Sequence, residues 1–403
     1  MNWEKVRFGD LYSIESRNGL TKPSRVRGSG YKMINMGELF SNDKIYDIPM
    51  EYVPLSEKEK LNFKVEKWDL LFARQSLVLE GAGKCSIVME VSPLTVFESH
   101  LIRVRLKHEE ANPIFYYYYF KSSASPIKSI VSQCAQAGIR GSDLQELTVS
   151  KPPLSTQNKI ASILTAYDDL IENNKKQIKL LEEAAQRLYK EWFVDLRFPG
   201  HENVPVVDGV PEGWERCKFS EKVAIMSGGT PSTSNKSFYQ GDIPFYTPKD
   251  YKGDFFSFET DLHISEEGLN SCNSAYYPTN TIIITARGTV GKTVLLGSPM
   301  AMNQSCYALK SDALNSPYYL FFALRQEVEK LKTMANGGVF DTIIIKTFDS
   351  ISLMIPTKEI LALFERSFNA IMDDIKNKQK ISKLLTEARD RILPKLMSGV
   401  IEV

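Results

Sequence analysis

The sequence predicts an α+β protein of two tandem-duplicated globular domains, separated by a pair of long antiparallel helices that form a coiled coil with pseudo-two-fold symmetry. Three observations lead to this prediction. Landmarks in the first half of the 403 residues recur in the same order in the second half. Each half opens with short β-rich runs broken by Gly, Pro, Asn and Ser. Each half then closes in a long charged stretch with helical spacing.

The repeat is visible from the first residues of each half. Residues 3–8 (WEKVRF) recur as residues 214–219 (WERCKF), and an Arg follows an apolar run in both copies, at Arg74 and Arg287. A period of about 200 residues indicates a duplicated domain and not a solenoid. The predicted boundaries are residues 1–154 for the first domain, 155–197 for the central helix, 198–356 for a linker and the second domain, and 357–403 for the C-terminal helix.

Short apolar runs predict the strands of each domain. In the second copy these runs are residues 281–285, 343–345 and 351–355. Gly, Pro and Asn interrupt them at short intervals, which is typical of an α+β domain and not of a parallel Rossmann sheet.

The central helix carries a heptad seam, with apolar positions in alternating steps of four and three. The seam consists of Ile160, Leu164, Tyr167, Ile171, Asn174, Ile178, Leu181, Ala185, Leu188 and Trp192. A single Asn in such a seam fixes the register of the two helices at some cost in stability.

The C-terminal helix repeats this pattern with one residue fewer before Ile381, and Lys378 stands where Asn174 stood. Its seam consists of Phe364, Phe368, Ile371, Ile375, Lys378, Ile381, Leu385, Ala388, Ile392 and Leu396. Two long seams with matching polar positions favour a paired coiled coil, a spacer of about 58 Å. The alternative is that each helix covers only its own domain.

Composition argues against several classes of protein. Lys plus Arg number 50 and Asp plus Glu 49, so the formal net charge of +1 gives no reason to propose nucleic acid or a membrane. No segment has the roughly 18 apolar residues of a membrane span, and the first residues lack the apolar core of a signal peptide, so a cytoplasmic location is expected. Five widely spaced cysteines, among them Cys134, and four scattered histidines predict neither a disulfide framework nor a metal site.

One segment imitates a phosphate-binding loop. Residues 286–293 (ARGTVGKT) follow an apolar run and nearly match the P-loop pattern. A P-loop requires a helix at its Lys-Thr, whereas here residues 294–299 (VLLGSP) predict a hairpin. Other catalytic motifs are absent, and the carboxylate pairs Asp168-Asp169 and Glu182-Glu183 are expected to form a solvated helix face. The sequence therefore predicts a protein that binds and does not catalyse.

Polar loops supply the candidates for binding. Residues 17–32 hold five basic side chains and no acidic one, which suits contact with phosphates, while Arg, Asn and Gln are the side chains that read bases. Arg74 and Arg287 are expected to occupy equivalent places, as are Lys84 and Lys292. The candidates for DNA contact are Arg17, Lys22, Arg25, Arg27, Lys32, Arg74, Gln75, Lys84 and Arg140 in the first copy, and Thr230, Ser232, Lys236, Lys249, Arg287, Thr289, Lys292, Asn303 and Gln304 in the second.

The chain resembles the specificity subunits of type I restriction-modification systems over essentially its full length. The resemblance is carried by Trp3 and Trp214 and by several short segments in a duplicated order. These segments are residues 152–157 (PPLSTQ), 228–232 (GGTPS), 243–245 (IPF), 286–292 (ARGTVGK) and 392–399 (ILPKLMSG). The first copy departs from the pattern at residues 72–76 (FARQS) and in a longer insertion before Gly83.

The resemblance implies two target recognition domains, each reading one half of a bipartite double-stranded DNA site, and a helical pair that sets the gap between the half-sites. It also implies two methyltransferase subunits docked on the helices, and restriction subunits that can join them. S-adenosylmethionine, ATP and Mg²⁺ are then expected on those partner subunits, and this chain is expected to bind no cofactor itself. The alternative is an adaptor that binds proteins through its helices and does not bind DNA.

Overall fold

The computed structural model describes residues 3–133, 137–334 and 342–403, so that Cys134 lies outside the described residues. The chain forms two compact units. Unit 1 joins Met1–Glu172 to Ser382–Val403, and unit 2 is Asn173–Ile381. Each of the two long helices therefore contributes residues to both units. Within the described ranges, no helix has the uninterrupted apolar length that a bilayer-spanning helix requires.

The first half of the chain contains thirteen described strands and five described α-helices. In order these are β1 Glu4–Arg7, β2 Tyr12–Asn18, β3 Tyr31–Ile34, α1 Met36–Ser41, β4 Lys44–Ile45, β5 Glu51–Val53, α2 Glu57–Phe63, β6 Leu70–Ala73, β7 Gln75–Ser76, β8 Cys85–Val88, β9 Val96–Phe97, β10 Leu101–Leu106, α3 Pro113–Lys121, β11 Ser132–Gln133, β12 Ala137–Gly138, α4 Gly141–Glu146, β13 Thr148–Lys151 and α5 Leu154–Tyr189. A π-helical turn, Lys190–Val194, follows α5.

The second half repeats most of this order. Its elements are β14 Val206–Val207, β15 Val210–Pro211, β16 Glu215–Lys218, α6 Phe219–Lys222, β17 Ala224–Ser227, β18 Ile243–Tyr246, β19 Phe256–Ser257, β20 His263–Ile264, α7 Glu266–Asn270, β21 Ile282–Thr285, β22 Thr293–Leu296, β23 Ala301–Met302, β24 Cys306–Lys310, α8 Pro317–Met334, α9 Ile345–Asp349, β25 Ser352–Ile355 and α10 Lys358–Met397.

The two halves share one sheet topology. The five-stranded sheet has the order β2-β10-β6-β8-β4 in the first half and β17-β24-β21-β22-β19 in the second. A three-stranded sheet follows the same rule, with β5-β3-β9 matching β20-β18-β23 and the last pair parallel in each. The predicted tandem α+β duplication is confirmed, because unrelated domains would not reproduce two sheets in the same order and direction.

Apolar strands and an aromatic helix build each core. In unit 1 all four residues of β6 are buried, and α3 packs against β8 with its row of Tyr and Phe side chains inside. The Asn112 side chain accepts hydrogen bonds from the amides of Ile114 and Phe115, and Pro113 occupies the first helical position, where no amide donor is needed. The helix α8 of unit 2 likewise begins at a Pro and buries aromatic side chains.

One predicted strand is wrong. Residues 343–345 were expected to form a strand, but α9 begins at Ile345, and Ile344 and Ile345 are 51% and 53% exposed. The Thr347 hydroxyl accepts a hydrogen bond from the Ile344 amide and so caps the helix. The prediction that no helix follows the P-loop-like segment is correct, because β22 begins at Thr293 and pairs antiparallel with β21, so that the segment is the turn between two strands.

The heptad seam of the central helix is buried as predicted, since all ten positions are buried or half-buried, the last of them, Trp192, in the π-helical turn after α5. The seam of α10 differs at one place. Ile381 is 47% exposed, whereas Gln379 and Ser382 are half-buried, so the helix continues its three-four spacing without the expected shortening. Here polar side chains occupy the inner positions of the seam, so a search for apolar residues alone wrongly selects Ile381.

In each unit, segments of both long helices belong to the core. Ile160 and Leu164 of α5 share the core of unit 1 with Leu396 of α10. In unit 2, the Tyr189 and Trp192 rings lie 6.4 and 5.7 Å from the Phe364 ring, measured between centroids. The paired helices are therefore part of the folded units and not an appendage to them.

Candidate nucleic-acid interface

Three loops converge at the same end of the five-stranded sheet in each unit. In unit 1 the Gly19 amide donates to the Leu101 carbonyl at 3.2 Å, and the Arg74 amide donates to the His100 carbonyl at 2.8 Å. These bonds join the loop after β2, the turn after β6 and the turn before β10. Because this arrangement recurs in unit 2, it is the strongest candidate for a common binding site.

Unit 2 builds the same cluster with the same backbone bonds. The Gly228 amide donates to the Cys306 carbonyl at 3.3 Å, and the Ala286 amide donates to the Ser305 carbonyl at 2.7 Å. A Cβ atom on Gly228 would overlap the Asn303 carbonyl oxygen, so the loop approaches more closely than any other residue would allow. Gly19 meets the Phe97 carbonyl in the same way.

The backbone bonds correct one predicted equivalence. Ala73 pairs with Leu101 in unit 1 and Thr285 pairs with Cys306 in unit 2, so Gln75, and not Arg74, corresponds to Arg287. The extra residues of the first copy follow this point and hid the register. Lys84 and Lys292 do correspond, because their carbonyls accept from the amides of Ala73 and Thr285 respectively.

In unit 2 several of the predicted side chains lie together. The Thr230 hydroxyl donates to the Gln304 side-chain carbonyl, and the Thr289 hydroxyl donates to the Pro248 carbonyl at 3.5 Å. The Thr289 contact brings the turns that carry Arg287 and Lys249 side by side, and both of these cations are exposed. The Asn303 side-chain oxygen accepts from the Ser305 amide at 3.1 Å and is partly used within its own turn.

The remaining candidates of unit 2 surround this cluster. Ser232 bonds with Ser234 at 2.7 Å, and the Asn235 side chain caps the turn that starts at Lys236. The Lys292 ammonium lies 5.8 Å from the centroid of the Tyr251 ring. Ser232, Lys236 and Lys292 are all exposed.

In unit 1 the cluster is formed by Arg74, Gln75 and Arg140, together with His100. The Gln75 side-chain oxygen lies 2.7 Å from Nδ1 of His100. Gln75 pairs with Gly138 between strands, and the Ile139 amide donates to the Arg74 carbonyl, which places Arg140 beside this turn. His100 was missed because a lone histidine gives no spacing signal; its only sequence mark is its place just before β10.

Ion pairs neutralise three of the five cations predicted to contact phosphates. Lys22 pairs with Glu59 at 2.8 Å, Arg27 with Glu51 at 2.6 Å and Lys32 with Asp47 at 2.7 Å. Each acidic partner is distant in sequence, so the loop looked more basic than its surroundings are. The other two are Arg17, whose guanidinium lies 5.5 Å from the centroid of the Phe63 ring, and Arg25, which forms no ion pair among the described residues.

Lys84 also has partners inside the protein. Its ammonium donates to the Phe40 carbonyl at 2.7 Å and lies 3.4 Å from Asp43, which Lys121 contacts as well. Burial works to raise the pKa of Asp43, but the bonds from Lys121 and Lys84 outweigh it, and the pKa is lowered. Lys84 therefore stabilises this part of the fold.

Two of the four α5 carboxylates, Asp168 and Glu182, are not solvated as was expected, whereas Asp169 is exposed as expected. Asp168 accepts from the Tyr118 hydroxyl at 2.6 Å and from the Arg389 guanidinium at 2.7 Å, and it lies 2.9 Å from the Lys44 ammonium. Burial alone would raise its pKa, but these three partners lower it. Within unit 1, Asp168 thus connects both long helices to the globular part.

Glu182 departs from the expectation in unit 2. Its side chain accepts from the Phe255 amide at 3.0 Å, and burial raises its pKa to about 7 despite that bond and the nearby Arg325. Besides burial, the nearby Asp254 carboxylate raises the pKa of Glu182. The described residues bring together no group of three or more His, Cys, Asp or Glu side chains able to hold a metal ion.

Comparison with known proteins gives one family. The family described as "Type I restriction modification DNA specificity domain" matches residues 1–183 and 211–387, one match in each half of the chain. The chain is 29% identical over 322 residues to the type I restriction enzyme HindI specificity subunit of Haemophilus influenzae, covering 64% of this chain and 70% of that one.

A second relative spans the whole chain. The type I restriction enzyme MjaIX specificity subunit of Methanocaldococcus jannaschii is 28% identical over 417 residues, covering 100% of this chain and 94% of that one. Among solved structures, the S subunit of a type I restriction-modification system from M. genitalium aligns with a TM-score of 0.61 at 17% identity. It covers 98% of this chain and 96% of that one, and so shows the same fold.

Proposed function

Because this chain belongs to the type I restriction-modification DNA specificity family, we propose that it is the non-catalytic subunit that reads DNA sequence for a methyltransferase and endonuclease complex. The observation that carries this proposal is the loop cluster that occurs in both units on the same backbone hydrogen bonds. The scaffold is common to the two units, whereas the side chains at corresponding positions differ, with half-buried Gln75 in unit 1 and exposed Arg287 in unit 2. A repeated scaffold with different side chains suits the reading of two different short sequences.

Each unit reads one half of a bipartite double-stranded DNA site. In unit 2, Arg287, Lys249 and Gln304 are exposed, and their side chains carry hydrogen-bond donors and acceptors that can pair with base edges and phosphates. In unit 1 the corresponding positions hold Gln75, beside Arg140 and His100. Since different side chains face the two half-sites, the recognised sequence is asymmetric, and a palindromic or continuous methylation motif assigned to this subunit would contradict the proposal.

The long helices set the gap between the half-sites and dock two methyltransferase subunits, and restriction subunits can join that assembly. The partner subunits supply S-adenosylmethionine, ATP and Mg²⁺, because this chain lacks the sequence motifs for holding them. Its own role is to place the methyltransferases on the target.

The distribution of charge explains why the partners are needed. Residues 1–154 hold 21 basic and 18 acidic residues, whereas residues 198–356 hold 13 and 17. A net acidic domain gains little from bulk attraction to DNA and depends on a few local contacts. The ion pairs of Lys22, Arg27 and Lys32 weaken that attraction in unit 1 as well.

The experiment is a gel-shift titration of the chain with its methyltransferase subunits on the duplex that methylome sequencing assigns to this subunit. Arg287→Ala is expected to weaken binding about 10- to 100-fold, because a good Arg–base contact is worth about 1–3 kcal/mol. Arg216→Ala is the matched control, a second exposed Arg of unit 2 that lies on β16 and not on the loops.

Two outcomes would contradict the proposal. If Arg287→Ala and Arg216→Ala weaken binding equally, the loop cluster is not the reading surface. If the assembled complex shows no salt-sensitive binding to any duplex, the chain is the adaptor and not the DNA reader.

A further inference from the structure

An exposed apolar tip follows the reading strand β7 of unit 1. Leu77, Val78 and Leu79 are consecutive in sequence and are 89%, 60% and 46% exposed. The tip begins two residues after Gln75 and belongs to the insertion that lengthens the first copy. The corresponding turn of unit 2, residues 287–291, is shorter and has no such run.

Two hydrogen bonds constrain the backbone of this tip. The Val78 amide donates to the Ser76 hydroxyl at 3.2 Å, and the Gly81 amide donates to the Val78 carbonyl at 3.2 Å. Ser76 is itself buried and paired with Ala137 in a three-stranded sheet. The three side chains therefore project from a braced turn, and little conformational entropy is lost when they are covered.

Three adjacent apolar side chains in water indicate a surface that another molecule covers. The position of the tip identifies that molecule. Gln75, at the start of the same strand, bonds to His100, and Arg140 follows the strand that pairs with Ser76. The tip thus lies next to the side chains proposed to read bases. A DNA duplex that contacts Gln75 would also contact the tip, which begins two residues further along the chain.

We propose that residues 77–79 form a wedge that inserts between neighbouring base pairs of the half-site read by unit 1. This inference rests on the proposed function. Apolar side chains that enter a base step unstack it and bend the duplex, and the bend brings more of the duplex against the protein. Unit 2 has no equivalent tip, so only one half-site is deformed. Part of the recognition in unit 1 then comes from how easily its base step opens.

The test uses the full chain with its methyltransferase subunits and a duplex carrying the methylated site of the host. 2-aminopurine is placed in turn at each position of both half-sites, and its fluorescence reports unstacking. The triple variant L77S, V78S and L79S is compared with the wild type and with Leu61→Ser. Leu61 is 86% exposed in α2 of the same unit, so this substitution controls for the loss of an exposed apolar side chain.

The wild type is expected to raise the fluorescence at one step of one half-site, separate from the base that the methyltransferase extrudes. The triple variant is expected to lose this signal, keep the signal of the extruded base and bind about tenfold more weakly, which is ~1.4 kcal/mol. Leu61→Ser is expected to match the wild type in all three measurements.

Each of the following results would refute the proposal that residues 77–79 form a wedge. An unchanged signal and affinity in the triple variant would refute it and leave the proposed function intact. Loss of the methyltransferase subunits from the triple variant in size-exclusion chromatography would show that the tip binds protein. Failure of the wild-type complex to bind the duplex at all would refute the proposed function, and the wedge with it.

Discussion

Removing the Asp168 carboxylate should destabilise unit 1. In the variant Asp168→Ala, the Arg389 guanidinium and the Lys44 ammonium lose their common partner, and the Tyr118 hydroxyl loses its acceptor. The three side chains that form the two ion pairs are 14–23% exposed, so water replaces the lost partner only in part.

The expected loss is about 3 kcal/mol, the lower end of what removing one partner of a buried pair costs. For a unit of this size, about 2–4 °C of melting temperature is lost per kcal/mol, so unit 1 should melt about 6–12 °C lower. The neighbouring Asp169→Ala is the matched control, since Asp169 is exposed and forms no ion pair among the described residues. Differential scanning calorimetry of the full chain measures both variants.

The pH dependence provides a second readout. The partners of Asp168 lower its pKa in the folded protein, against the effect of burial. A carboxyl with a lowered pKa stabilises the fold above its unfolded pKa of about 3.9, and that contribution is lost as the pH falls through the folded pKa. The gap between wild type and Asp168→Ala should thus be constant near neutral pH and close in acid. Equal melting of Asp168→Ala and Asp169→Ala at pH 7 would refute the reasoning.

Three further predictions concern other parts of the molecule. Burial raises the pKa of Glu182 to about 7, and such a carboxyl costs stability as the pH rises above its unfolded pKa. In urea unfolding, Glu182→Gln should therefore gain up to about 3 kcal/mol more stability over the wild type at pH 8 than at pH 5. An equal gain at both pH values would contradict this. Gly19→Ala should cost about 1–3 kcal/mol of folding stability because its Cβ would meet the Phe97 carbonyl, whereas Gly37→Ala, with open space around its Cβ, should cost no stability. Equal melting temperatures for the two variants would disprove this. One heptad inserted into both long helices should alter the gap between half-sites in methylome sequencing and leave the half-site letters unchanged, and changed letters would exclude the spacer role.

The sequence predicted the duplication and the α5 seam because both depend on patterns that persist over many residues. A strand pair or a heptad repeats its signal, so one misleading residue changes little. Where a single residue decides, the prediction was wrong. Ile381 was placed on the seam for its apolar side chain, yet Gln379 and Ser382 take the inner positions. Residues 343–345 looked like a strand, but the Thr347 hydroxyl caps a helix there.

The loop cluster was harder to predict than the fold, because its geometry depends on residues distant in sequence. The insertion before Gly83 obscured the register, and only the backbone bonds show that Gln75 corresponds to Arg287. The acidic partners of the basic loop come from other elements of unit 1, such as Glu59 of α2. Spacing within a single sequence does not predict such ion pairs between distant residues.

Under the proposed function, the way the cluster is built lets the two halves of one chain read different DNA. Its three loops are joined by amide-to-carbonyl bonds and by close approaches at Gly19 and Gly228, none of which uses a side chain that could read a base. Side chains such as Gln75 and Arg287 can therefore change without loss of the scaffold. For the same reason, the turn after β7 in unit 1 accommodates its extra residues. They lengthen the turn, and the backbone bonds of Ala73 and Arg74 stay in place. Divergence of the two reading surfaces then requires no change in the helices that connect them.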